Sequence, residues 1–136
     1  MNRNEVKRVK RAAWMKARRA NLEALGIDPP AAFHGDKPKP LAIGAGDEFV
    51  AQVSEEAKAK VRIFLCRYTQ SEWYLWQCVK PGSMRHRLDG EPVEPVSDSH
   101  RAHAETLAVK RQAQRTVKRL IKDGVLDQRS APKVTP

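Results

Sequence analysis

The apolar positions of this chain change their period several times, and each change marks an element. From Asn2 to Leu25, Val6, Val9, Ala13, Ala17 and Ala20 recur at spacings of three and four, which predicts a helix with one thin apolar stripe. Asn4 is placed to cap it, and Gly26 with Pro29-Pro30 ends it. Alanine buries little area, so weak docking is expected, either as a solvated helix or as an arm that orders on a partner. Asp28-Pro29 has the form of an N-cap followed by proline at the first helical position. That predicts a short turn over 29–33, with Phe33 anchored in the core. Phe49, Val50 and Val53 share a helical face, and Asp47 and Glu48 lie in its first turn, where the macrodipole favours acids. Ser54 then caps a further helix, in which Ala57, Val61, Phe64, Leu65 and Tyr68 occupy roughly one third of the circumference.

Residues 71–79 carry two readings. Trp73-Tyr74-Leu75-Trp76 has strand composition, yet Ser71 is placed to cap a short helix that Lys80-Pro81-Gly82 would end. Beyond it, Arg85-His86-Arg87-Leu88 runs into Asp89-Gly90, a two-residue hairpin signal, and Pro92 and Pro95 mark the return as a short edge strand. Period two then puts Arg85 and Arg87 on one face. Ser97 or Ser99 caps a last helix that reaches Asp123, with Leu107, Val117, Leu120 and Ile121 on its apolar side and Gly124 at its end.

Charge narrows the class of partner. A net charge of +10 over 136 residues predicts one domain that meets a polyanion or an anionic surface. The charge is placed in blocks. Residues 1–25 hold eight Lys/Arg against two acids, and residues 101–136 hold nine against three. Between them, Lys58–Arg87 carries seven cations against the single acid Glu72, interleaved with Phe64, Tyr68, Trp73, Tyr74 and Trp76. Cations among flat rings are what a polyanion with stackable bases requires, so this stretch is read as an RNA-binding face.

Other chemistries find less support. Cys66 and Cys78 are not a C-x-x-C pair, no secretory signal or apolar span precedes them, and a cytoplasmic chain with reduced thiols is expected. His100 and His103 lack matched ligands for a metal, and Ser, Cys, His and Asp form no triad, so neither an enzyme nor a cofactor is expected.

Pro40-Leu41-Ala42-Ile43-Gly44, Arg67-Tyr68-Thr69, Tyr74-Leu75, Val79-Lys80-Pro81-Gly82, Arg85-His86-Arg87-Leu88-Asp89-Gly90 and His100-Arg101-Ala102-His103-Ala104 follow one another at near-constant spacing. This series, over roughly residues 38–115, resembles the ProQ/FinO family of bacterial RNA chaperones. The resemblance implies a mostly α fold with a small β-hairpin (α+β), and resolves 71–79 as helix. Together with the pattern of the two ends, it gives a basic N-terminal helix or arm over 1–26, an RNA-binding domain over 27–123 and a flexible tail over 124–136. It also implies binding to structured RNA, at the base of a terminator-like stem-loop and its 3′ single-stranded tail, by a monomer acting in RNA stability and RNA–RNA pairing. The family's RNA-facing positions fall at Lys58, Arg62, Tyr74 and Arg85, with Lys80 in the turn between. Two positions depart: Cys66 stands where the family's long helix has a basic residue, and Trp73 where some members have a basic residue before the tyrosine. The basic N-terminal helix is similar to that of the FinO branch, where the extension assists strand pairing.

The expected RNA-binding set is therefore Lys58, Arg62, Arg67, Tyr74, Lys80, Arg85, Arg87, Ser97, His100 and Arg101. Phosphates would meet the cations and the open amides at the start of the last helix, and Tyr74 would pack on a terminal ribose or base. Tyr74→Ala and Arg85→Ala are expected to weaken RNA binding while leaving the thermal midpoint nearly unchanged. The alternatives are a plasmid or phage DNA-binding regulator that uses Lys58–Arg67 as a recognition helix, and a basic protein of a membrane surface or the ribosome.

Overall fold

The computed structural model describes residues 1–128. Five helices and one antiparallel strand pair follow in the order α1 (Arg3–Ala24), α2 (Ala45–Gln52), α3 (Glu55–Thr69), α4 (Glu72–Val79), β1 (Met84–His86), β2 (Pro92–Pro95) and α5 (Asp98–Lys122). A single 3-10 turn at Ala31–Phe33 links α1 to the rest. Among the described residues no helix is long and apolar enough to cross a membrane.

Helix α1 departs from its expected packing. Asn2, one residue outside the helix, caps it by accepting a 2.8 Å bond from the Glu5 amide, in place of Asn4. The predicted stripe does not dock: Val9 is 51% exposed, and Ala13, Ala17 and Ala20 also face water. Met15 and Leu22, seven apart, are buried completely. Two long apolar side chains remove far more area from water than a row of alanines, about 1.5–3 kcal/mol each, and this decides which way the helix turns. The same side carries Trp14, stacked on Tyr68 at 5.4 Å. Arg11 Nε donates to the Asp36 carbonyl (2.9 Å), and Arg19 Nη1 to the carbonyls of Gly35 (2.9 Å) and Phe33 (3.2 Å). Alpha-1 is thus pinned to the core and to the loop that follows the 3-10 turn.

Phe33 is the anchor the sequence predicts. It is fully buried, and Phe49, Phe64 and Tyr68 surround it at 5.0–5.6 Å between centroids. Tyr68 extends the cluster to Tyr74 at 5.4 Å. Phe64, Tyr68 and Tyr74, read from the sequence as rings interleaved with surface cations, therefore belong to the core. Their positions on the buried faces of α3 and α4 decide this, and composition alone is blind to facing.

Residues 72–79 form a helix because Ser71 Oγ accepts from the Tyr74 amide at 3.2 Å and so fixes the first turn. That local bond and the Pro81-Gly82 stop override the strand composition. The hairpin pairs Met84 with Pro95, Arg85 with Glu94 and His86 with Pro92, with an irregularity between Arg85 and His86. Gly90, at φ 87°, supplies the left-handed turn residue. On β1 the chain from Pro40 runs alongside in parallel, with Leu41 bridged to His86: the His86 amide donates to the Pro40 carbonyl and the Ala42 amide to the His86 carbonyl, both at 2.7 Å. Alpha-5 is capped by Ser97, whose hydroxyl accepts from the His100 amide (3.2 Å), and lies along α4. Gly124 closes it as expected, with the Val125 amide returning to the Leu120 carbonyl at 2.9 Å. Of the expected tail, residues 129–136 lie outside the described residues.

Candidate nucleic-acid interface

The peptide of Leu41 is the meeting point of the polar groups that α4 and β1 deliver. Tyr74, on the buried side of α4, accepts the Leu41 amide proton on its hydroxyl at 2.9 Å. Arg85, on β1, donates Nη1 to the Leu41 carbonyl at 2.8 Å, and its Nη2 reaches His100 Nδ1 on the first turn of α5 at 2.7 Å. A guanidinium has no acceptor, so His100 accepts at Nδ1 and carries its ring proton on Nε2. One segment thereby ties α4, the hairpin and α5 together.

Beside Leu41 lies an open cleft of about 400 Å³. Alpha-3 lines it with Arg62, Leu65, Cys66 and Thr69, and the start of α2 with Gly46 and Asp47. Tyr74 forms part of its wall. Lys58 stands one turn before Arg62 on α3 and is paired with Glu55 at 2.9 Å. Arg62, Tyr74, Arg85 and His100 are therefore brought to one region, with Lys58 along the same flank.

The other expected residues sit elsewhere. Arg67 is exposed on α3, about 140° around the helix from Arg62. Arg87 is exposed beyond the end of β1 and its Nε lies 3.6 Å from Asp89 of its own turn. It shares no partner with Arg85, because regular pairing stops at His86 and the alternation does not carry through. Arg101 is held 3.6 Å from Asp98, with its Nε enclosed. Ser97 spends its hydroxyl on the cap, which leaves the amides of Asp98 and Ser99 as the ones a helix start cannot pair internally. Lys80 does not reach the Leu41 cleft: it bonds Gln77 Oε1 at 3.1 Å and lines a second cleft.

The electrostatics follow from burial. Tyr74 is 7% exposed, and its phenol is pushed well above its ordinary range by burial first and by neighbouring Cys78 next, opposed by the Leu41 bond and Arg85. It meets any ligand as a neutral hydroxyl. Burial likewise pushes the Cys78 thiol up, and both cysteines are free.

A family model described as "ProQ/FINO family" matches residues 15–120. The chain belongs to the ProQ/FINO family. Curated relatives include proteins named "RNA chaperone ProQ" from Shewanella baltica (strain OS223), 34% identical over 84 residues, which are 60% of this chain and 40% of the relative. The one from Idiomarina loihiensis is 39% identical over 70 residues, 49% of this chain and 33% of the relative. The one from Shewanella piezotolerans is 34% identical over 89 residues, 63% and 42% respectively. This ProQ/FINO chain thus spans about a third to two fifths of the length of the relatives it matches. The family match begins at Met15, the first completely buried residue of α1.

Sequence reasoning on this ProQ/FINO chain passed over Gly46, Asp47 and the backbone of Leu41, and it did not join Arg11 and Arg19 to the loop they hold. Leu41 acts through its peptide, which leaves no mark on residue type. For α1 a signal existed: Met15 and Leu22 lie seven apart, with Arg11 and Arg19 flanking Met15 at four.

Proposed function

We propose that this chain is an RNA chaperone that binds structured RNA, a stem-loop with a 3′ single-stranded tail, and aids RNA stability and RNA–RNA pairing. The observation that carries the reading is the convergence of Arg62, Arg85, His100 and the Tyr74 hydroxyl around Leu41, in a chain whose relatives are named RNA chaperones. Arg62 and Lys58 supply charge to phosphates, releasing counterions as they do so. Arg85 is already fixed by the Leu41 carbonyl, so its remaining N–H groups are held in place before a phosphate arrives. His100 offers its Nε2 proton, and the amides of Asp98 and Ser99 suit a terminal phosphate or hydroxyl. With Phe64, Tyr68 and Tyr74 committed to the core, ring stacking contributes less than backbone contact. A duplex is then read by its A-form shape and sequence preference is low. Binding involves no chemical step.

The test compares an RNA hairpin carrying a uridine tail, the same hairpin without the tail, and the DNA equivalent of the tailed one. Tight binding to the tailed RNA, weakened about tenfold or more by Arg62→Ala, supports the reading. Preference for the DNA makes the chain a DNA-binding regulator instead.

A further inference from the structure

A second open cleft, of about 600 Å³, is lined by Pro40 and His86 next to the Leu41 bridge. It shares no lining residue with the Leu41 cleft. Its walls are the 34–40 loop, the turn between α4 and β1, and His86. Lys37, Lys39 and Lys80 line it, with Asp36 as the one acid among its lining residues, and Asp36 is exposed. Arg11 is brought against the same loop by its bond to the Asp36 carbonyl. The cations sense one another: the Lys80 ammonium is driven below its ordinary range by burial first, then by the charges of Lys37 and Arg11. Like charges gathered in a concave surface, without an equal number of acids, are a standing electrostatic cost that an arriving anion removes. The elements holding them are fixed, since Arg19 and Arg11 pin the loop to α1 and the Ser83 hydroxyl donates to the Gln77 carbonyl at 2.8 Å.

We infer that this second cleft takes the phosphodiester backbone of a second RNA segment while the Leu41 cleft holds the first, so that one chain carries two RNA segments in separate clefts that adjoin at Pro40 and Leu41. The inference rests on the RNA reading above and adds to it a physical route to pairing, because two strands held by one small domain meet at high effective concentration.

The experiment uses the full chain. A labelled tailed hairpin is first bound to saturation, and a differently labelled unstructured ribo-oligonucleotide is then titrated in, with anisotropy read for each. The wild type is expected to bind both at once. Lys37→Ala with Lys39→Ala, both lining the second cleft and neither in the set expected to hold the first RNA, is expected to keep the hairpin while weakening the oligonucleotide at least about tenfold, and to lower its log–log salt slope by about 0.7 for each lost contact. Arg62→Ala is expected to do the reverse. If the oligonucleotide displaces the hairpin, if the double variant leaves its binding unchanged, or if that variant loses both ligands, the second site is refuted while RNA binding stands. If the wild type binds neither RNA, both the site and the RNA reading fall.

Discussion

At the scale of single residues, Tyr74 carries the most consequence, because its ring belongs to the core while its hydroxyl belongs to the cleft. Tyr74→Phe keeps the ring but strands the buried Leu41 amide, at a cost of about 1–3 kcal/mol. Tyr74→Ala also opens a cavity, for about 3–5 kcal/mol. Urea midpoints should therefore fall in the order wild type, Phe, Ala. An unchanged midpoint for Tyr74→Ala, as the family resemblance leads one to expect, would show that the ring is not packed. Arg85→Ala leaves the Leu41 carbonyl and His100 without their donor, so it should lower RNA binding and stability together. Titration at this site has a definite sign. Cys78, Tyr68 and Tyr74 all have folded-state values above their ordinary 9.0 and 10.0. The unfolded chain releases these protons first, so their contribution is complete below pH 9 and is lost as pH rises. The unfolding free energy from urea titration should hold from pH 7 to 8.5 and then fall, by up to about 1.4 kcal/mol per pH unit for each group. Cys78→Ala should remove the earliest part of that fall, between pH 9 and 10.

At the scale of elements, α1 is the most instructive. Its existence was legible in the sequence and its facing was not. Period alone proposed Val6, Val9 and the alanines, but burial follows area per side chain, and Met15, Leu22 and Trp14 outweigh them. Met15→Ala and Leu22→Ala should each cost about 2–5 kcal/mol, whereas Val9→Ala should stay within about 0.5 kcal/mol, as read by chemical denaturation. Equal effects would mean that the helix docks through another face. Two caps were legible because they are local: the Ser71 and Ser97 hydroxyls accept from the amides three residues on, whereas Ser54 precedes its helix without a side-chain bond and α1 uses Asn2 in place of Asn4. Asp89-Gly90 marked the turn but not its length, since the loop closes between Arg87 and Glu91 with Gly90 alone at positive φ. The candidate site was legible in part. Tyr74, Arg85 and His100 stand in the motif series, and Arg62 was named as a family RNA-facing position. Arg62 and Tyr74 line the cleft beside Leu41, while Arg85 bonds the Leu41 carbonyl and His100. What joins them is a peptide group and a short parallel bridge, and neither has a residue signature. For the same reason the sequence did not show that Lys80 lines a second cleft.

At the scale of the whole molecule, the basic blocks sit in different surroundings, and salt dependence can tell their roles apart. Arg62 and Arg85 sit where packing fixes their neighbours, so each should act on a defined phosphate. The last turns of α5 carry Lys118, Arg119 and Lys122, all exposed, and their contribution to a polyanion is long-ranged and indifferent to sequence. Replacing these three by glutamine removes charge without touching the Leu41 cleft. On a tailed hairpin, the plot of log affinity against log salt should become shallower by up to about 0.7–0.9 for each cation that neutralises a phosphate. Discrimination between tailed and untailed hairpins should stay the same, because the last turns of α5 lie far along the helix from its first turn, Asp98 to His100, the part proposed to meet the 3′ end. Arg62→Ala should instead shift that discrimination while changing the slope by only about one. If the glutamine variant loses tail discrimination and Arg62→Ala does not, the grip on the 3′ end belongs to the last turns of α5, and the cleft at Leu41 is a structural seam.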